Sequence, residues 1–135
     1  AEKAAKSGKS KVLIVDDSAF ILKTIQKLLS DDYEVSTVTS GVAALRSMIL
    51  DRPDLILLDY EMPVCKGDQV LEMIRAEEEY ADIPVIFLTS RVDKERIEKV
   101  LALKPSGYLS KSLSPEAVKK EVDHFFGKIS SETKA

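Results

Sequence analysis

The sequence predicts an α/β fold, a doubly wound (βα)5 unit with a five-stranded parallel sheet in the order 2-1-3-4-5 and helices on both faces. Three observations lead there. Short apolar runs alternate five times with segments of helical spacing. The runs are nearly continuous in Val, Ile and Leu, as strands covered on both faces require. Capping and helix-stopping residues stand at the changeovers.

The predicted strands are 11–16, 34–38, Leu55–Asp59, Val85–Thr89 and Gly107–Ser110. The apolar stripe of the first helical segment is Phe20, Ile21, Ile25, Leu28 and Leu29. The second has Val42, Leu45, Met48 and Ile49, and the third Val70, Leu71 and Ile74. Ile97, Val100 and Leu101 mark a fourth, and Val118, Val122, Phe125 and Phe126 a fifth. Ser114, Pro115 and Glu116 form an N-cap, a proline at the first helical position and an acid in the first turn. Pro53 stops the second helix and Pro105 the fourth, while Gly67 leads into the third. Five such units with right-handed crossovers give the flavodoxin-like strand order.

The 135 residues fit one domain, read as a folded unit over 11–127 between a basic tail at 1–10 and a C-terminal tail at 128–135. Lys3, Lys6, Lys9 and Lys11 make the start basic, and a solvated tail is the expectation. The net charge of −3 gives no basic face for nucleic acid. Cys65 is the one cysteine, so no internal disulfide is possible. No apolar run approaches the ~20 residues of a membrane helix, and no secretory h-region stands at the start. A cytoplasmic location is expected. Ser7-Gly8-Lys9-Ser10 imitates the end of a phosphate-binding P-loop, but a strand follows it where that motif needs a helix.

The chemistry stands where strands end. Strand one runs into Asp16 and Asp17, strand three into Asp59, and strand four ends at Thr89. Lys111 follows strand five at once. Ligands of open parallel sheets bind outside the carboxyl ends, near the point where strand order reverses. Strands one and three flank that point, so Asp16, Asp17 and Asp59 are expected in one pocket. Three carboxylates together repel, and a hard divalent cation such as Mg²⁺ relieves the repulsion. Lys111 adds positive charge and Thr89 a hydroxyl. The set suits an anion of several oxygens beside a metal, and a phosphoryl group fits best. A carboxylate can be the nucleophile that receives it. The lone His124 lies late in the last helix, so no histidine base serves the pocket and turnover of a free substrate is not expected.

Four motifs in order resemble the receiver domain of two-component response regulators: Val15-Asp16-Asp17-Ser18, Asp59-Tyr60-Glu61-Met62-Pro63, Leu88-Thr89-Ser90 and Tyr108-Leu109-Ser110-Lys111. The resemblance covers about 11–126. It implies that Asp59 is the phosphoacceptor, taking its phosphoryl group from a sensor histidine kinase or phosphotransfer protein. Asp17, Asp59 and the backbone carbonyl of Glu61 would bind Mg²⁺ directly, with Mn²⁺ as a substitute, and Asp16 would hold a metal-bound water. Lys111 would pair with phosphoryl oxygens, Thr89 would be the switch hydroxyl, and Tyr108 the coupled aromatic. The implied output face is the fourth helix, strand five and the fifth helix, which would engage a downstream domain or target and offers a homodimer surface.

The chain departs from the family pattern at four places. Ser112 follows the lysine where proline, joined by a cis bond, is usual. Glu61 stands two residues past the acceptor, where its side chain is expected to overhang the site. Lys66 precedes Gly67, and Lys104-Pro105 replaces the usual Gly-Ala before strand five. Two other readings stand beside the receiver: a pseudo-receiver interaction module that needs no phosphate, and an aspartate-nucleophile phosphohydrolase. The phosphohydrolase signature has an aspartate where this chain has Glu61.

Overall fold

The computed structural model describes residues 9–60, 67–89, 107–110 and 114–127. Five strands form one parallel sheet: β1 (Ser10–Val15), β2 (Tyr33–Val38), β3 (Leu55–Asp59), β4 (Val85–Thr89) and β5 (Gly107–Ser110). Their order is β2-β1-β3-β4-β5, as the sequence predicts. The described helices are α1 (Ala19–Leu29), α2 (Gly41–Leu50), α3 (Gly67–Ala76) and α4 (Pro115–Phe125), with a 3₁₀ turn at Glu78–Tyr80. The expected helix around Ile97, Val100 and Leu101, and the stop at Pro105, lie outside the described residues.

Strand pleating sorts the core into two layers. Val12, Ile14, Leu55 and Leu57 join Leu22, Ile25 and Leu29 of α1 and Val118 and Val122 of α4. Their neighbours Leu13, Val15, Ile56 and Leu58 join Ala44 and Met48 of α2 and Val70, Leu71 and Ile74 of α3. Successive side chains point to opposite faces of a strand, so a continuous apolar run feeds both layers. Truncation of Leu57, which is fully buried, costs about 2–5 kcal/mol.

Caps fix where helices start. The Ser18 hydroxyl accepts from the Ile21 N–H, and that of Ser40 from the Ala43 N–H. Ser114 caps α4, with Pro115 at its first position. Each cap satisfies an N–H that the helix leaves without a partner.

Three helix faces differ from expectation, and in α4 the difference is Phe125, which is exposed while Val118 and Val122 are buried. In α1 the core stripe is Leu22, Ile25 and Leu29, whereas Phe20 is 79% exposed. In α2, Leu45 and Met48 face the core, but Val42 and Ile49 are 61% and 70% exposed. Both α1 and α2 carry apolar residues on more than one side, so spacing alone permits two orientations. The start of the chain differs too. Lys11 is buried in β1, with its ammonium paired to Asp51 and its N–H on the Asp54 carboxylate at 2.7 Å. It is a structural cation and no part of a solvated tail. Lys9 sends its ammonium to the Ser30 carbonyl at 3.2 Å.

Candidate functional site

Parallel register aligns the strand ends. Val15 of β1 lies beside Leu58 of β3, so Asp16 and Asp59, the next residues, come level. The Asp16 N–H bonds to the Val38 carbonyl at 3.2 Å and the Tyr60 N–H to that of Leu88 at 2.9 Å. These bonds carry the ladder one residue past each strand and hold the backbone on both sides of the acids. The Tyr60 ring, buried behind Asp59, meets Phe87 edge-on at 5.4 Å.

Asp16, Asp17 and Asp59 each place a carboxylate oxygen within 4.8 Å of the other two. Asp16 and Asp59 are buried and Asp17 is exposed. The cluster therefore meets solvent on the side of Asp17. The donor set is oxygen only, compact and acidic, which fits a hard divalent cation such as Mg²⁺ or Mn²⁺ and fits poorly a metal that prefers nitrogen or sulfur.

Asp16 has a second task. Its Oδ1 accepts the Ser18 N–H at 2.9 Å, closing the turn between β1 and α1. Ser18 in turn caps α1. An aspartate two residues before a capping serine is the visible signal for this turn.

Thr89 ends β4 and is buried, and in the sheet it lies beside Ser110, the last residue of β5. Lys111 follows Ser110 in sequence but lies outside the described residues, as do Glu61, Cys65, Lys66, Lys104, Pro105 and Ser112. The backbone of Tyr108 is in β5, beside Phe87; its side chain lies outside the description. His124 is exposed in the last turn of α4. The structure thus brings together the three predicted acids and sets Thr89 at the end of the neighbouring strand.

A doubly wound sheet with an acidic oxygen cluster at its switch point defines the class: an α/β domain whose strand ends offer a candidate site for a divalent cation. Comparison with known proteins gives the family. Residues 12–123 match the response regulator receiver domain, and the chain belongs to that family. It is 33% identical over 118 residues to the sensor histidine kinase TmoS of Ectopseudomonas mendocina, covering 87% of this chain. The match spans 12% of TmoS, and a match to hybrid signal transduction histidine kinase D of Dictyostelium discoideum spans 7% of that protein. Among solved structures, chemotaxis protein CheY4 of Vibrio cholerae superposes with a TM-score of 0.81 at 32% identity, covering 86% of this chain and 98% of that one. The Mn²⁺-bound form of response regulator Rcp1 gives a TM-score of 0.73 at 27% identity, covering 87% and 92%. The protein is thus a CheY-like receiver domain of two-component signalling, a class of phosphoacceptor signalling domain. Among the described residues no helix is long and apolar enough to cross a membrane.

Proposed function

We propose that this domain accepts a phosphoryl group on Asp59 from a phosphohistidine of a sensor kinase or phosphotransfer protein. The gathering of three carboxylates within 4.8 Å at the ends of β1 and β3 carries the reading. An Asp59 carboxylate oxygen attacks phosphorus. The P–N bond to the donor imidazole breaks, and its electron pair stays on the nitrogen, which takes a proton. Asp16, Asp17, Asp59 and the Glu61 backbone carbonyl would hold Mg²⁺, or Mn²⁺ as in the Rcp1 relative. A bound divalent ion supplies charge neutralisation between carboxylates and phosphoryl oxygens.

The remaining roles fall to the chain's own side chains. Asp17, the exposed acid, marks the side from which a donor approaches buried Asp59. Thr89, at the end of β4, donates its hydroxyl to a phosphoryl oxygen, and Lys111 pairs with another. Tyr108 follows Thr89 and turns inward when that hydroxyl moves. The new charge of about −1.5 to −2 favours the arrangement that satisfies its oxygens. That preference biases the face formed by the expected fourth helix, β5 and α4 toward a downstream domain or target. The cytoplasm is the compartment in which such a kinase partner would meet it.

The test is incubation with acetyl phosphate and Mg²⁺, read by intact mass. Wild type gains one phosphoryl group and Asp59→Asn gains none. A wild type that never gains mass, with beryllofluoride also without spectral effect, favours the pseudo-receiver. Steady release of phosphate from small phosphomonoesters favours the phosphohydrolase.

A further inference from the structure

We infer that the outward face of α2 and α3 is a self-association surface that pairs with a second copy of this chain about a two-fold axis. The first observation is α2 itself. Its core side is Ala44, Leu45 and Met48. Its outer side, at spacing i, i+4, i+7 and i+8, is Val42, Arg46, Ile49 and Leu50. Val42, Ile49 and Leu50 are 61%, 70% and 86% exposed. An amphipathic surface helix normally turns charged or polar side chains outward, and a helix apolar on both sides belongs between two layers. Among the described residues the domain supplies one layer only.

The neighbouring helix supplies the complement. The outward stripe of α3 is Gln69, Glu72, Met73 and Ala76, all exposed. Exposed Glu77, Glu78 and Glu79 follow it. The outer side of α2 carries Arg46 and no acid. Among the described residues neither Arg46 nor Glu72 makes an ion pair. One domain thus presents, side by side, an apolar stripe centred on an arginine and an acidic stripe centred on a methionine and a glutamate.

A surface with both halves is complementary to itself. A two-fold axis between the helices lays α2 of each copy on α3 of the other, so each contact occurs twice. Arg46 then meets Glu72 of the second copy, and Val42 and Ile49 meet Met73 and Ala76. The patch is small, which places the association in the weak, transient class. It lies on the opposite side of the sheet from α4, and its contacts use none of the strand-end acids.

Sedimentation velocity of the full chain, over a wide concentration range at low salt, tests this. Wild type is expected to dimerise reversibly. Arg46→Glu and Glu72→Arg, each at an exposed position and each folding normally by circular dichroism, should weaken the dimer about tenfold or more through like-charge contact. An equimolar mixture of the two variants should regain it. The introduced glutamate of one variant then faces the introduced arginine of the other, and the two unchanged native residues face each other. The double variant Arg46→Glu/Glu72→Arg should regain it alone. Ile49→Asp should abolish it, and Lys120→Glu on α4 should change nothing. A wild type that stays monomeric overturns the proposal. So does a dimer indifferent to the Arg46 and Glu72 reversals but lost with Lys120→Glu, and so do reversals that no mixture restores.

Discussion

The two ends of the sheet both collect acids, and they treat them differently. At the amino end Asp51 and Asp54 close on Lys11, one through its ammonium and one through its N–H. At the carboxyl end Asp16, Asp17 and Asp59 close on each other. The first group brings its cation with it and holds β1 to the segment that enters β3. The second concentrates like charge at the point where ligands bind such sheets. The same residue type thus serves structure where a carboxylate closes on Lys11, and serves binding where carboxylates gather at the strand ends. Substitutions at the two ends should therefore act in opposite directions on stability.

The largest effect expected is that of the cation. An ion bound only by the folded state stabilises it by about 2.7 kcal/mol at roughly a hundred times Kd. Thermal melting of wild type should shift upward as Mg²⁺ is added, and Asp17→Asn should flatten the response. Equal shifts in both proteins would show that the carboxyl end is no more a cation site than the amino end.

The next effect is at the amino end. Asp51→Asn leaves the nearly buried Lys11 ammonium without its partner, at a cost of about 1–3 kcal/mol. Glu34 lies beside Lys11 across the strand pair and offers partial compensation, which favours the lower half of that range. Urea unfolding measures it, and an unchanged midpoint would remove the structural role assigned to this pair.

How legible the molecule was depends on the kind of signal. The strands showed because a buried parallel strand needs an unbroken apolar run, and Leu55 to Leu58 ending in Asp59 leaves little choice. Strand order then followed from chain connectivity, and with it the meeting of Asp16, Asp17 and Asp59. Helix faces were less legible. Phe20 looks as apolar as Leu22, and Val42 as apolar as Leu45, so only the layer beneath decides which turns inward. Lys11 read both as a strand residue and as a tail charge, because its partner Asp51 is 40 residues away in sequence. The burial of Asp59 was not legible at all, since the exposure of a strand end depends on how the loops beside it fold.

A smaller effect, opposite in sign, belongs to the carboxyl end without metal. Asp17→Asn removes one of three crowded charges and should raise stability in chelator by on the order of 1 kcal/mol. The same variant should lose cation binding. Stability gained where function is lost is the mark of a site held against repulsion. If Asp17→Asn and Asp51→Asn both destabilise the chelated protein, the contrast between the two ends fails.

The smallest effect comes from a third acidic group, on the α1 and α4 side, where acids again close on a lysine as they do at the amino end. The buried Tyr33 hydroxyl donates to Asp123, and Lys119 bridges Asp123 at 2.9 Å and Asp32 at 3.0 Å. Burial pushes the Tyr33 phenol well above its ordinary range, and the hydrogen bond to Asp123 pushes it further. The Lys119 ammonium is held above the usual lysine range by Asp123 and then Asp32. Both folded values are raised, so what they contribute is complete below about pH 10 and falls as pH rises above it, where the unfolded chain releases protons first. Tyr33→Phe keeps the ring against Phe126 at 5.2 Å and leaves Asp123 its lysine. It should cost only about 0.5–1 kcal/mol at neutral pH. Wild type should therefore lose stability more steeply than Tyr33→Phe between about pH 10 and 11.5 in urea titrations. Parallel curves would show that the phenol is not held by this cluster, and that pairing with Lys119 alone accounts for it.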